Sequence, residues 1–166
     1  EKLKEFSQTM IQQIDTLTQI ANAFSDFASI SNQSEEQFHI KKELERIVYL
    51  FKNNNVQFHT DISPNKSTEV FIDKSHLNRV LTNLIKNSLQ AEKKNQPIEV
   101  CVELKKQKDR YLVRVVDNGV GIPSEIEDKI FEPNFTTKNS GMGLGLAIVK
   151  KIITDFSGEI NCQTSP

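Results

Sequence analysis

Residues 141–146, Gly-Met-Gly-Leu-Gly-Leu, lead directly into Ala-Ile-Val-Lys-Lys-Ile-Ile-Thr-Asp-Phe at positions 147–156. Apolar side chains recur at helical spacing in the second part, which predicts a helix over residues 145–156. Glycines at a helix start expose backbone amides, and with the helix dipole these amides form an anion site. The Gly-x-Gly-x-Gly spacing is not the Gly-x-Gly-x-x-Gly of dinucleotide folds, and no Gly-Lys-Ser/Thr follows. The stretch therefore predicts a phosphate site outside those two classes.

A second glycine stretch, Asp-Asn-Gly-Val-Gly-Ile, occupies positions 117–122, where an apolar strand ends. An aspartate at a strand end is placed to accept a hydrogen bond from a ligand. Gly119 and Gly121 let the backbone turn closely beneath it. The alternative is an ordinary turn without a ligand, because Asp-Asn-Gly is also a common turn sequence.

Two asparagines, Asn83 and Asn87, lie four residues apart in a helix predicted over residues 77–92. That spacing places both on one helix face. Asparagine favours caps and turns, so two within a helix call for a reason. An amide oxygen is a good neutral Mg²⁺ ligand where a polyphosphate supplies the charge. Two exposed asparagines on a polar face are the alternative.

The sequence between these motifs, residues 118–140, is dense in Gly, Pro, Asn and Thr and predicts no regular element. It contains Phe-Glu-Pro-Asn-Phe-Thr-Thr-Lys at positions 131–138, which we call the phenylalanine loop. Two phenylalanines in a polar loop indicate a segment that docks and undocks, and its last three residues offer donors to phosphate. Loops of this length are usually lids or disordered.

The remaining pattern predicts an α+β fold. Strands are expected near residues 38–40, 56–62, 70–72 and 159–163, with a hairpin of residues 98–104 and 111–116. A helix is expected over residues 41–53, and Asp73 or Ser75 should cap the next one. This order predicts a two-layer α/β sandwich with helices packed on one sheet face.

The N-terminal residues 1–29 contain no Pro or Gly and carry apolar side chains at steps of three or four. Such a helix would be about 45 Å long and suits a coiled-coil or four-helix-bundle seam, which needs a partner. The alternative is an amphipathic helix lying on the following domain. Residues 31–37 are expected to be a linker.

Composition narrows the class further. The chain has 166 residues, room for one ordinary domain, with 21 basic and 22 acidic side chains. This balance argues against nucleic-acid binding. Cys101 and Cys162 form no Cys-x-x-Cys unit, so a reducing compartment fits and zinc does not. No apolar run approaches a membrane span, so no membrane contact by this segment is expected.

Taken together, the four motifs resemble the N, G1, F and G2 boxes of sensor histidine kinases over about residues 38–165. That family has a Bergerat-type ATP-binding fold, a mixed sheet with helices on one face. The runs at 86–91 and 135–138 are most similar to the nitrogen-regulatory type. The resemblance implies three parts: residues 1–30 as the second helix of a dimerisation hairpin, 31–37 as linker, and 38–166 as an ATP-binding domain lacking its last strand.

The resemblance also implies roles in binding ATP and Mg²⁺. Asn87 would hold Mg²⁺, Asn83 would lie close to the phosphates, and Asp117 would accept from the adenine amino group. Residues 131–142 would form a lid, with Lys138 reaching the γ-phosphate. The full nucleotide site implied is Asn83, Lys86, Asn87, Asp117, Gly119, Gly121, Ile122, Phe131, Thr136, Thr137, Lys138, Gly141, Gly143, Leu144, Gly145 and Leu146. Asn134 departs from the family, which often has a second phenylalanine there.

Reaction type follows from position 83. Hydrolases of this superfamily, such as DNA gyrase, place a glutamate base there, whereas Asn83 takes no proton at neutral pH. Transfer is therefore favoured over hydrolysis. The family's acceptor is a histidine followed by an acidic residue on an upstream helix. His39, His59 and His76 have no such context, so no catalytic residue is expected in this chain.

The resemblance implies a cytoplasmic segment of a parent kinase that can be membrane-anchored, a homodimer through its dimerisation helices, and a response regulator as partner. The alternative is a regulatory module of the same superfamily that binds nucleotide and acts by protein interaction, as anti-sigma factors do. A plain helical interaction domain would leave the glycine clusters unexplained.

Overall fold

The computed structural model describes residues 6–11, 13–14, 17–18, 21, 34–138 and 142–164. From residue 34 onward the chain contains five strands, three α-helices and one 3₁₀ helix among the described residues. In chain order they are β1 (Glu35–His39), α1 (Ile40–Tyr49), β2 (Val56–Thr60), β3 (Glu69–Asp73), α2 (Lys74–Leu89), β4 (Val100–Gln107), β5 (Arg110–Asp117), a 3₁₀ helix (Ser124–Lys129) and α3 (Gly145–Asp155).

Two sheets form among the described residues. The larger has the order β2-β4-β5, with β2 and β4 parallel and β4 and β5 antiparallel. The smaller pairs β1 with β3 in antiparallel fashion. In the larger sheet Val100 stands opposite both Val56 and Asp117, so the last residue of β5 lies at the end where β2 and β4 begin.

The core lies between one face of the larger sheet and the three helices. Val100, Val102 and Leu104 alternate on β4 and are almost fully buried, whereas Cys101 and Glu103 between them are not. The helices cover this face with fully buried side chains, including Leu44, Ile47, Leu81, Ile85, Val149 and Ile152. Burying each such side chain stabilises the fold by about 1.5–3 kcal/mol. This confirms the predicted sandwich with helices on one face.

Asp73 sets where α2 begins. Its Oδ1 accepts hydrogen bonds from the backbone amides of Ser75 at 2.8 Å and His76 at 3.2 Å, a helix cap as the sequence predicts. Its Oδ2 accepts from the amide of Ser34 at 2.8 Å, just before β1. Because β1 pairs with β3, one carboxylate fixes the start of both the small sheet and the asparagine-bearing helix.

A buried carboxylate joins α1 to α2. Glu43, only 4% exposed, pairs with Arg46 and Lys74 and accepts a hydrogen bond from Asn78 at 2.9 Å. Burial alone would raise the pKa of Glu43, but the bonds from these three side chains outweigh it and lower the pKa. The network fixes the rotation of α2 about its own axis relative to α1. It thereby determines which face of α2 is turned toward the site.

Several predicted boundaries need correction. Residues 35–37, expected in the linker, belong to β1 because pairing with β3 draws these polar residues into the ladder. The helix expected to residue 53 ends at Tyr49 and continues as turns to Asn55. Ser124–Lys129 form a 3₁₀ helix where no regular element is predicted; such short i→i+3 turns tolerate a preceding proline. Residues 159–163, predicted as a strand, form none and have no strand partner in the described part of the chain.

Among residues 6–21, those that the structure describes are helical, as the periodicity predicts. Phe6, Met10, Ile11, Ile14 and Leu17 are 50–65% exposed, so this apolar stripe is not packed on the following domain. The rest of the helix predicted over residues 1–30, and linker residues 31–33, lie outside the described residues. None of the described helices has the length and apolarity that a bilayer crossing requires.

Candidate functional site

The first part of the site is one face of α2. Asn83 and Asn87 are both half-buried there. The Asn83 amide nitrogen donates to the carbonyl of Arg79, one turn earlier, at 2.9 Å. This bond turns the other end of the amide outward, and Asn83 Oδ1 lies 3.0 Å from where a Cβ on Gly145 would stand. The face of α2 predicted to bind phosphate and metal therefore receives the first residue of α3.

The second part is the glycine segment before α3. Gly143 has φ +65°, and a Cβ there would lie 2.5 Å from the carbonyl oxygen of Phe135. Only glycine fits this approach, because both the backbone angle and the space exclude a side chain. The amide of Asn134 donates to the carbonyl of Gly143 at 3.1 Å, and Asn134 itself has φ +66°. Asparagine tolerates this left-handed angle, which accounts locally for its presence. Gly141 lies outside the described residues.

The start of α3 has no side-chain cap. Leu144 occupies the N-cap position and makes no side-chain cap hydrogen bond. The Leu144 side chain packs against the hydrophobic core, and both Leu144 and Leu146 are half-buried. Uncapped first-turn amides are the groups that an anion satisfies. These amides are available to an anion, and the phosphate site expected here stays a prediction.

The third part is the turn after β5. Asp117 Oδ1 accepts from the amide of Gly119 at 3.0 Å. Gly119 is buried, and a Cβ there would lie 2.5 Å from the carbonyl oxygen of Ala91 and 2.6 Å from its Cβ. That carbonyl also accepts from the amide of Val120 at 2.8 Å. The turn is thus fastened to the residues that follow α2, and Asp117 is held exposed beside them.

Two further contacts hold this turn. Asn118 Oδ1 accepts from the amide of Glu99 at 2.9 Å, and its Nδ2 donates to Pro97 O at 3.2 Å, so this asparagine binds backbone rather than ligand. Gly121 has φ +73°, and the Ile122 amide donates to Thr164 Oγ1 at 3.0 Å. The sequence identified Asn118 only as part of a motif; its structural role depends on the approach of residues 97–99.

The phenylalanine loop brings only some of its predicted residues toward α2. Lys150 Nζ stands 5.8 Å from the ring centroid of Phe131, a cation–π contact that ties the loop to α3. The Thr136 hydroxyl accepts from the amide of Lys138 at 3.1 Å, a local turn. Thr137 is exposed, as is Lys86 on α2. Within the part of the chain that the structure describes, no hydrogen bond joins the side chains of Thr136, Thr137 or Lys86 to Asn83 or Asn87.

Lys138 does reach α2. Its ammonium donates to Asn87 Oδ1 at 3.3 Å and to Gln90 Oε1 at 2.6 Å. Partial burial lowers the pKa of Lys138. Sequence reasoning missed Gln90. The one available signal was its spacing of three residues from Asn87, which puts the two side chains on neighbouring parts of the helix surface.

The donor set fits a divalent cation held jointly with phosphates. In the described residues, no group of three or more His, Cys, Asp or Glu side chains is arranged to hold a metal ion. Asn87 Oδ1, however, already faces a positive charge, because the ammonium of Lys138 stands where a cation is stabilised. A single amide oxygen suits Mg²⁺, which keeps several waters and is bound chiefly through phosphate oxygens.

Comparisons with known proteins give the class. The family described as histidine kinase-, DNA gyrase B- and HSP90-like ATPase matches residues 72–166. The nitrogen regulation protein NtrY of Azorhizobium caulinodans is 26% identical over 173 residues, covering 100% of this chain and 22% of that protein. The catalytic domain of the histidine kinase ThkA has 31% sequence identity and a TM-score of 0.63, over 74% of this chain and 81% of that one. The crystal structure of ThkA in complex with the response regulator protein TrrA gives 26% identity and a TM-score of 0.68, over 87% of this chain and 43% of that one.

The fold and the site thus define a nucleotide-binding ATPase domain. The chain belongs to the histidine kinase-, DNA gyrase B- and HSP90-like ATPase family, as an ATP-binding domain of the sensor histidine kinase type. This confirms the resemblance seen in the motifs, including its similarity to nitrogen-regulatory kinases. The chain spans 22% and 27% of the length of NtrY and of the sensor kinase AtoS of Escherichia coli.

Proposed function

We propose that this chain is the catalytic part of a two-component sensor kinase that binds Mg-ATP between α2 and α3. It would transfer the γ-phosphoryl group to a histidine on a helix outside this chain. Asn87 would be the protein ligand of Mg²⁺, the uncapped amides of α3 would hold phosphates, and Asp117 would accept from the adenine amino group. ATP, when bound, supplies the phosphoryl group, and Mg²⁺ neutralises part of its charge.

One observation carries the proposal. Motifs from separate parts of the chain meet on α2: the start of α3 lies against Asn83, and Lys138 contacts Asn87. The turn bearing Asp117 is fastened to Ala91, just beyond the same helix. A purely structural role for these motifs would not require an amide oxygen beside a positive charge, uncapped amides and an exposed carboxylate to gather around one helix and the residues that follow it.

Transfer rather than hydrolysis is supported by the chemistry of Asn83. Hydrolysis needs a base that takes a proton from water, and an amide has no such capacity. The Asn83 nitrogen is already engaged with the carbonyl of Arg79, which leaves its oxygen directed at the start of α3. The side chain can orient a phosphate-binding segment but cannot activate water.

None of the three histidines suits the role of acceptor. His76 is 3% exposed, with its ring packed on Phe156 at 5.8 Å between centroids. His59 contacts Gln57 at 3.3 Å on β2, and His39 ends β1. An acceptor presented by another helix is therefore part of the proposal.

The exposed stripe of the N-terminal helix, including Phe6, Met10, Ile14 and Leu17, supports pairing with the same helix of a second copy. The similar ThkA structure holds a response regulator protein, and we infer that a response regulator is also the partner here. The regulatory-module alternative predicts ATP binding without transfer.

Calorimetric titration with ATP, with and without Mg²⁺, tests the nucleotide site. We expect the native chain to bind ATP more tightly with Mg²⁺, and Asn87→Ala to lose most of that gain while its metal-free affinity stays close to native. Asn53→Ala, in the exposed turns after α1, is the matched control. An Asn87→Ala protein with native metal dependence would remove Asn87 from the site.

A further inference from the structure

The ammonium of Lys138 occupies the cation position at the end of α2. It is shared between two amide oxygens, Asn87 Oδ1 at 3.3 Å and Gln90 Oε1 at 2.6 Å. Asn87 and Gln90 are three residues apart, so their side chains are neighbours on the helix surface. The negative end of the α2 dipole lies here as well and favours a positive charge. The short bond to Gln90 identifies this residue as the main anchor of the lysine.

Lys138 and Mg²⁺ cannot bind the amide oxygen of Asn87 at the same time. Mg²⁺ binds oxygen at about 2.0–2.1 Å, so a metal on Asn87 Oδ1 would stand within a few ångströms of the ammonium on the same oxygen. Two like charges at that separation repel strongly in a partly buried place. The contact seen in this structure and metal coordination by Asn87 therefore exclude each other.

We propose that Lys138 is a placeholder cation which Mg²⁺ must displace from Asn87, and that Gln90 is the positioning residue that sets how tightly the placeholder is held. This inference rests on the proposed Mg²⁺ site at Asn87. In the nucleotide-free chain the lysine satisfies the amide oxygen. When metal and nucleotide bind, the lysine leaves Asn87 and becomes available to the γ-phosphate.

The exchange has a consequence for the choice between ATP and ADP. With ATP, the displaced ammonium finds a new anionic partner in the γ-phosphate. With ADP that partner is absent, so displacement of Lys138 is not compensated and opposes the binding of metal. The exchange of Lys138 for Mg²⁺ therefore weakens the binding of Mg-ADP relative to that of Mg-ATP. After transfer, the return of Lys138 to Asn87 promotes release of the product.

The test is calorimetric titration of the whole chain with ADP and with ATP, each with saturating Mg²⁺ and with chelator. The variants are Lys138→Met, which removes the placeholder, and Gln90→Leu, which removes only its anchor. Lys129→Met, an exposed lysine at the end of the 3₁₀ helix, is the control for losing one positive charge. Lys138 and Gln90 are both exposed, so the fold should tolerate their replacement, which thermal unfolding checks.

We expect Lys138→Met to bind Mg-ADP about two- to tenfold more tightly than Lys129→Met does, with no such gain in chelator. Gln90→Leu should tighten Mg-ADP about two- to threefold and, because it keeps the lysine, should tighten Mg-ATP as well. If the native chain binds Mg-ATP but neither Lys138→Met nor Gln90→Leu binds Mg-ADP more tightly than its control does, the exchange alone is overturned. A native chain that binds neither nucleotide with Mg²⁺ would overturn the proposed function itself.

Discussion

Asn83 Oδ1 lies 3.0 Å from where a Cβ on Gly145 would stand, so the first residue of α3 and the middle of α2 leave no spare space between them. Two segments more than sixty positions apart thus form one surface. The amides of α3 that we propose bind phosphate are positioned beside a side chain of α2, so small changes on either side should alter nucleotide binding more than stability.

Replacing Gly145 with Ala tests whether a change at this contact alters nucleotide binding more than stability. The added methyl group meets only the end of a flexible side chain, and alanine favours a helix over glycine by up to about 1 kcal/mol. We expect the free energy of unfolding to stay level or rise, while displacement of Asn83 weakens ATP binding by about threefold to tenfold. Urea unfolding and ATP titration on one preparation measure both. A less stable protein with native ATP affinity would contradict the assignment.

Gly119→Ala, unlike Gly145→Ala, should lower the stability of the fold. Here the added methyl group would meet the backbone oxygen of Ala91 at 2.5 Å, which cannot rotate away. We expect a loss of about 1–3 kcal/mol in the free energy of unfolding, because the turn must separate from the end of α2. ATP affinity should fall with it. The double variant with Ala91→Gly removes the Cβ clash but not the carbonyl clash, and should recover only part of the stability. Full recovery would show that the carbonyl contact is unimportant.

Asp73 gives a pH-dependent prediction. Burial alone would raise its pKa, but hydrogen bonds from Ser34, Ser75 and His76 outweigh this and lower the pKa from 3.8 to about 2. A carboxyl group whose pKa is lowered on folding stabilises the fold at pH values above its pKa in the unfolded chain. This contribution is lost as pH falls from about 4 towards 2. Asp73→Asn should therefore be less stable than native at pH 6, by about 1–2 kcal/mol.

The gap between Asp73→Asn and the native chain should then close in acid, as urea unfolding at several pH values between 6 and 2.5 would show. Glu43 also has a lowered pKa, but it is present in both proteins and cancels in the difference. A gap that stays constant across this range would mean that the carboxylate charge of Asp73 contributes nothing.

Asp117 should determine base selectivity. An ionised carboxylate only accepts hydrogen bonds, so it matches the amino group of adenine and opposes the carbonyl of guanine. A mismatch that leaves a buried polar group unpaired costs roughly 1–3 kcal/mol, so once the bound base covers Asp117 ATP should be preferred over GTP by about fivefold to 150-fold. Asp117→Asn should weaken ATP and narrow this ratio in competition assays. Equal native affinity for the two nucleotides would exclude base reading by Asp117.

Much of the fold followed from periodicity. The alternation in β4 and the apolar stripe of α2 depend on burial against one sheet face, so they are visible in the sequence as repeats of two and of three to four residues. The strand predicted over 159–163 shows the limit of this reasoning: alternation predicts that a segment can be a strand, but a strand forms only where another supplies hydrogen bonds. The 3₁₀ helix at Ser124–Lys129 was hidden among turn-forming residues.

The site divides in a similar way. Glycine spacing and the paired asparagines identified the segments, because their chemistry is local. The roles of Gln90 and Ala91 could not be predicted, since each depends on a partner that folds back from a distant position: Lys138 onto Gln90, and Gly119 onto Ala91. Leu144 was expected near the ligand; its half-buried side chain packs against the core, a contact that the glycine spacing did not predict.

Phosphoryl transfer is the central claim, and one labelling experiment tests it most directly. The chain is incubated with Mg²⁺ and γ-labelled ATP, alone and with a separate helical hairpin of a nitrogen-regulatory sensor kinase that carries the acceptor histidine. We expect no label on the chain alone and an acid-labile phosphate on the hairpin, abolished in Asn87→Ala. Stable labelling of His39, His59 or His76, or ATP binding with no label on any acceptor hairpin supplied, would contradict the account.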